Sequence, residues 1–175
     1  MTLRADTGDD HNAVDLVFGQ FDLRDPKQYG SFLSAHARVV ASVEIALEQA
    51  GVERLIPDWN ERRRREKLAD DMQALGISTP APLPAPAFSS DDEIWGAAYV
   101  LEGSKLGGAM LAKQVPSELP SSYLTWQGPK GAMKTFMEGL DQFQPADAGL
   151  ASAAARSTFD LFKTAAELEL ELIPS

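Results

Sequence analysis

The sequence predicts an all-α protein, a single-domain multi-helical bundle, on three observations. Apolar residues recur at spacings of three and four along most of the chain, strand-like alternation is nearly absent, and helix start and stop residues punctuate it throughout. At 175 residues, one domain spanning 1–175 is large enough to bury most of its apolar surface.

Taken in order, the first helix is expected from about Leu3 to Phe18, with Leu3, Thr7, His11, Val14 and Phe18 along one face. Asp25-Pro26 opens the second, Asp as N-cap and Pro at the first helical position. Tyr29, Phe32, Leu33, His36, Val40, Val43 and Leu47 line that helix until it stops near Gly51. Ile56-Pro57-Asp58-Trp59 reads as a connector. Leu68, Met72 and Leu75 mark another helix, ended by Gly76. Residues 77–88, ISTPAPLPAPAF, are too rich in proline for a helix and read as an extended connector inside the domain.

Ser90-Asp91-Asp92-Glu93 fits a capping box. The helix it opens, Ile94 to about Lys113, is apolar nearly all round and should be central. It carries Gly96, Gly103, Gly107 and Gly108, and each interior Gly costs roughly 1 kcal/mol against Ala. After a loop with Pro116, Pro120 and Gly128-Pro129, a helix is expected near Gly131–Phe143. The last begins after Pro145-Ala146-Asp147 and carries Leu150, Phe159, Phe162, Leu168 and Leu172.

Composition narrows the function. The net charge of −10 repels nucleic acid and anionic membrane. The Arg62-Arg63-Arg64-Arg65 run, flanked by Glu61 and Glu66, reads as a solvated helix start with local ion pairs. No apolar stretch is long enough to span a bilayer, and MTLRADTGDD does not read as a secretory leader. With no cysteine there is no disulfide, thiolate metal site or Cys nucleophile, and a cytoplasmic location is the default expectation. No P-loop, dinucleotide turn or nucleophile elbow appears.

Two features remain as candidates. Gly103 and Gly107, four apart, expose bare backbone on one helix face. That face serves either close helix packing or a flat ligand lying against the backbone. His11 and His36 are the only histidines, too few for a multi-histidine metal site, and each by itself is an ordinary core or half-exposed residue.

The segment Tyr99-Val100-Leu101-Glu102-Gly103-Ser104-Lys105-Leu106-Gly107-Gly108 resembles the distal-helix signature of bacterial heme oxygenases. Four further segments agree in order. Leu3-Arg4 with Thr7 and His11 is similar to the family's N-terminal LR..T...H. Tyr29 and Phe32-Leu33 with His36 look like its second helix. Trp59 through Arg65, with Leu68, Asp71 and Leu75-Gly76, look like W..R.R...L..D...LG. Phe136 and Leu140, then Ala155 with Phe159, resemble the closing helices.

The resemblance implies a heme-oxygenase-like fold and O₂-dependent cleavage of heme to biliverdin, CO and iron, with heme as both cofactor and substrate. It implies His11 as the proximal iron ligand, Gly103, Ser104 and Gly107 at the reacting face, and Phe159 against the ring. Arg4 and Lys134 match basic family positions facing the propionates. His36 falls at a position without a ligand role. The electrons must come from an external donor, a reductase or ferredoxin, and a biliverdin-using phytochrome is a candidate recipient. The chain departs from the family's pattern at Gly8, followed by Asp9 and Asp10, where a basic residue occurs in relatives. It departs also at Ser104, where some members carry a carboxylate, at Lys105, often Thr or Ser, and at Met133, often Trp. Gly8 and Ser104 favour the alternative, a heme-binding carrier or sensor of the same fold without turnover. A helical partner module that binds no heme is the third reading.

Overall fold

The computed structural model describes residues 3–174. Among them the chain forms α1 (Leu3–Asp6), α2 (Gly8–Phe18), α3 (Pro26–Ala37), α4 (Val40–Gln49), α5 (Trp59–Arg62) and α6 (Arg65–Ala74). After a non-helical stretch come α7 (Asp91–Gly103), α8 (Lys105–Ala112), α9 (Ser122–Thr125), α10 (Ala132–Gln142) and α11 (Ala148–Glu171). A single 3-10 turn, Val52–Arg54, follows α4, and no strand is present among the described residues.

The start signals act as the sequence predicts. Asp25 accepts a hydrogen bond from the Lys27 amide at 2.9 Å, with Pro26 opening α3. The Ser90 and Glu93 side chains satisfy each other's backbone amides in a capping box at the head of α7. Asp147 caps α11 through the amides of Gly149 and Leu150. Gly51 and Gly76, both at positive φ, terminate α4 and α6. Residues 77–89 are non-helical, as their prolines require.

Three expected helices are interrupted, each where a hydrogen bond competes with the helix ladder. The first divides at Thr7, whose Oγ1 donates to the Leu3 carbonyl at 2.6 Å. The second divides at Arg38-Val39. There the Leu83 amide, from the proline-rich connector, donates to the Arg38 carbonyl at 2.8 Å, and the Arg38 guanidinium donates to the Ala81 carbonyl. The third divides at Ser104, between α7 and α8. Besides α5, which begins within the expected connector at Trp59, two further turns go beyond the expected elements. One is the 3-10 turn. The other is α9, which has a distant cap: both carboxylate oxygens of buried Asp71 accept the amides of Ser122 and Tyr123.

The Arg62–Arg65 run corrects the expectation of a solvated helix start. Extended backbone at Arg63 separates α5 from α6, so the four side chains diverge. Arg62 and Arg64 are buried, at 1% and 3% exposure, while Arg63 and Arg65 meet Glu48 and Glu66 nearer the surface.

Long α11 is the spine, packed along α7 and against α2 and α3. Its contact with α7 runs through small residues: a Cβ on Gly96 would fall 2.1 Å from the Ala151 carbonyl oxygen. Gly108 plays the same part for α8, where a Cβ would fall 2.4 Å from the Leu124 carbonyl oxygen of α9. Gly96→Ala should therefore destabilise the protein by about 1–3 kcal/mol or more, because two helix backbones must separate. That cost exceeds the gain of roughly 1 kcal/mol in helix propensity. Urea melts of the variant and wild type measure the difference.

Candidate functional site

The interruptions at Thr7 and Ser104 bring the N-terminal helices and the α7–α8 joint onto one open cleft of about 830 Å³, within the usual range for a small-molecule site. Arg4, Thr7, Gly8 and His11 line one part of it, Gly103, Ser104 and Gly107 another. Phe18, Phe32, His36, Phe136, Phe159 and Phe162 supply aromatic lining, and Met133 and Met137 come from α10.

Six of the seven residues named from the sequence thus meet in one place: Arg4, His11, Gly103, Ser104, Gly107 and Phe159. Lys134 does not line the cleft. Its ammonium lies on the exposed side of α10, 3.9 Å from Glu138. Asp9 and Asp10 are also absent from the lining, and Asp10 approaches Arg156 at 3.6 Å.

The fork between packing and ligand divides the glycines by position. Gly96 and Gly108 meet backbone of neighbouring helices, whereas a Cβ on Gly103 or Gly107 would meet nothing within 4 Å. The bare face of the joint looks onto open space in the cleft.

His11 is 58% exposed at its side chain, with Nδ1 3.5 Å from Asp15 Oδ2 one turn on, and its ring stands edge-on to Phe159. A carboxylate at Nδ1 favours the tautomer whose Nε2 is bare, the form that binds a metal. His36, which reads in the sequence as an ordinary core or half-exposed histidine at a position without a ligand role, is also part of the site. It sits among the rings of Phe18, Phe32, Tyr123 and Phe162 and shares the cleft. Its Nδ1 is 2.9 Å from the Phe32 carbonyl oxygen, so Nδ1 carries the proton and Nε2 is an acceptor. Burial pushes its pKa down to about 3.

Ser104 is more constrained than an exposed hydroxyl would be. Its Oγ–H donates to the Leu101 carbonyl at 2.7 Å, and its oxygen accepts from the Arg64 guanidinium. One lone pair is left to face the cleft, so Ser104 can accept there but has no free proton to give. The nearest carboxylate on α7 points the other way. Glu102 is buried between Arg62, at 3.0 Å, and the Lys105 ammonium, at 2.7 Å. The departure at Lys105 therefore belongs to the packed side of the joint.

Two predictions follow from this geometry. Gly107→Leu should leave the ligand-free protein as stable as wild type or slightly more so, since propensity improves by roughly 0.8–1 kcal/mol and nothing is displaced. It should nonetheless obstruct the cleft; denaturant melts paired with ligand titration separate the two effects. For His36, the unfolded chain takes up a proton between pH 6.5 and about 3 that the folded protein refuses. The stability its neutral form contributes is present above pH 6.5 and lost as pH falls, by at most about 1.4 kcal/mol per unit. Wild type should therefore lose about 2–3 kcal/mol relative to His36→Phe between pH 7 and 4.5. Glu44, pushed up to about 6 by its burial, has the opposite sign and cancels in that comparison.

No family model matches the sequence. A heme oxygenase of Xanthomonas campestris pv. campestris is 36% identical over 96 residues, which span 55% of this chain and 58% of that protein. The similar segment thus covers little more than half of that relative. The fold match runs nearly end to end. The NO- and CO-bound heme oxygenase of Neisseria meningitidis superposes with a TM-score of 0.80 at 23% identity, over 99% of this chain and 92% of that one. The heme oxygenase of Leptospira interrogans superposes with a TM-score of 0.72 at 21% identity, over 96% of this chain and all of that one. These superpositions show that the chain has the heme-oxygenase-like all-α fold.

Proposed function

We propose that the protein is a heme oxygenase, cleaving heme to biliverdin, CO and iron with O₂ and electrons from an external reductase or ferredoxin. One observation carries the reading: His11 and two glycines with open space before them line the same aromatic cleft. The cleft fits a flat, largely apolar ring. Its walls are phenylalanine, methionine and bare backbone, a shape and polarity suited to a porphyrin.

Heme, when bound, supplies the iron that activates O₂ and the ring whose meso carbon is cleaved. The protein's part is positioning. His11 Nε2 would hold the iron, with Asp15 fixing the proton on Nδ1. Gly103 and Gly107 let the chain approach the ring face without a side chain between. Phe18, Phe32, Phe136 and Phe162 exclude water from the inner end. His36 Nε2, neutral throughout the physiological range, and the remaining lone pair of Ser104 accept hydrogen bonds there. Arg4 lines the cleft and would pair with one propionate. Lys134 reaches the other only by swinging away from Glu138, an exposed contact that holds it weakly.

No helix among the described residues is long and apolar enough to cross a membrane. These 175 residues contain no cysteine to hold an iron–sulfur centre, which suits electron supply by an external donor. A cytoplasmic enzyme releasing iron or supplying biliverdin to a phytochrome fits these properties.

Hemin titration tests the reading. Wild type should bind one hemin with a histidine-ligated Soret band. His11→Ala should lose that spectrum, and His36→Ala should keep it. With a reductase system and O₂, bound heme should give biliverdin; heme that is reduced without cleavage would instead identify a carrier. A protein that does not take up hemin at all sinks both.

A further inference from the structure

Arg64 is out of place for a structural arginine. It is 3% exposed, yet its guanidinium has no carboxylate within ion-pair distance among the described residues. The other buried cations beside it are paired, Arg62 with Glu102 and Asp58, Lys105 with Glu102. Buried Glu44 accepts the Arg64 backbone amide at 2.7 Å and attracts the guanidinium at longer range, without a side-chain ion pair, and a buried charge so placed is costly unless its donors are engaged. Those of Arg64 reach the α7–α8 joint: Nη2 donates to the Leu101 carbonyl at 3.3 Å and to Ser104 Oγ, while the plane covers the Tyr123 ring at 4.5 Å. Leu101 O is the carbonyl that an unbroken helix would offer to the residue 105 amide. Here it receives side-chain donors from Ser104 and Arg64.

We infer that Arg64 is a positioning residue: it holds α7 and α8 bent at Ser104 from the side away from the cleft, and so sets where the bare Gly103–Gly107 face stands. Arg64 is not itself among the residues lining the cleft; it acts on the cleft wall through Ser104 and the Leu101 carbonyl. The consequence for a bound ring rests on the heme reading above, but the bend does not.

The test has two arms. In the ligand-free protein, amide hydrogen exchange is read at residues 104–108, with α3 and α11 as internal reference. Arg64→Met keeps the stem and removes donors and charge. It should raise exchange at 104–108 by about tenfold or more against the reference. Arg64→Lys, which retains a donor, should restore part of the protection. Ser104→Ala, at an exposed position, should give an intermediate loss, and with Arg64→Lys it carries the comparison should Arg64→Met not fold. Unchanged protection at 104–108 overturns the inference, as does an equal loss in α3 and α11. The second arm adds hemin and then azide to the ferric complex. Azide affinity should change at least about tenfold in Arg64→Met, with Arg64→Lys between the two. A hemin complex whose azide affinity is unaltered by Arg64→Met overturns the positioning role at the ring. Wild type that binds no hemin defeats the heme reading alone, and the exchange arm still decides the bend.

Discussion

The backbone contact between α7 and α11 at Gly96 and Ala151 is the constraint from which the rest follows. With no side chain between them, the two helices lie close enough for Ala97, Ala98, Ala154 and Ala155 to close the seam. That fixes α7 along its full length as the buried element of the fold. Its C-terminal end then has to emerge beside α2, where the cleft opens. Everything at the cleft wall is positioned by how α7 leaves the core.

Charge is used on one side of that exit and withheld on the other. Behind the joint lie Arg62, Arg64, Glu102 and Lys105, buried and engaged with carbonyls, carboxylates and one aromatic face. In front lie glycine backbone, a hydroxyl whose proton is already committed, and a ring of phenylalanines. A polar network of this kind is costly if any member is left unsatisfied, and specifies geometry when all are satisfied. The α7–α8 wall of the cleft is thereby fixed without a charge of its own facing inward, while Arg4 and Asp15 line the cleft from the N-terminal helices.

Much of this was legible in the residues. Asp25-Pro26, Ser90 with Glu93, Asp147, Gly51 and Gly76 act locally, within one helical turn, so their consequences can be read without knowing the fold. The helix joints could not be read that way. The Leu101 carbonyl freed at Ser104 meets a guanidinium 37 residues distant in the chain, and Asp71 caps a turn that begins 51 residues later. Nothing near Arg64 distinguishes it from Arg63, and flanking glutamates made the whole run look solvated. His36 was hidden for a related reason, since its aromatic enclosure is assembled from α2, α3, α9 and α11. The four glycines stand out in the sequence by their cost in a helix, but only the packed structure sorts Gly96 and Gly108 from Gly103 and Gly107.

The joint at Arg38-Val39 has a consequence for the order of assembly. Its carbonyl is claimed by the Leu83 amide, and its guanidinium by the Ala81 carbonyl, so the connector is clipped across the bend like a strap. In isolation, the stretch from Pro26 to Gln49 has no such partner, and its local signals favour one straight rod. The bend is therefore acquired late, when a segment more than 40 residues downstream docks and closes a long loop. A proline-rich strap suits that task, since a stiff, extended chain loses little entropy on docking and leaves few amides unpaired.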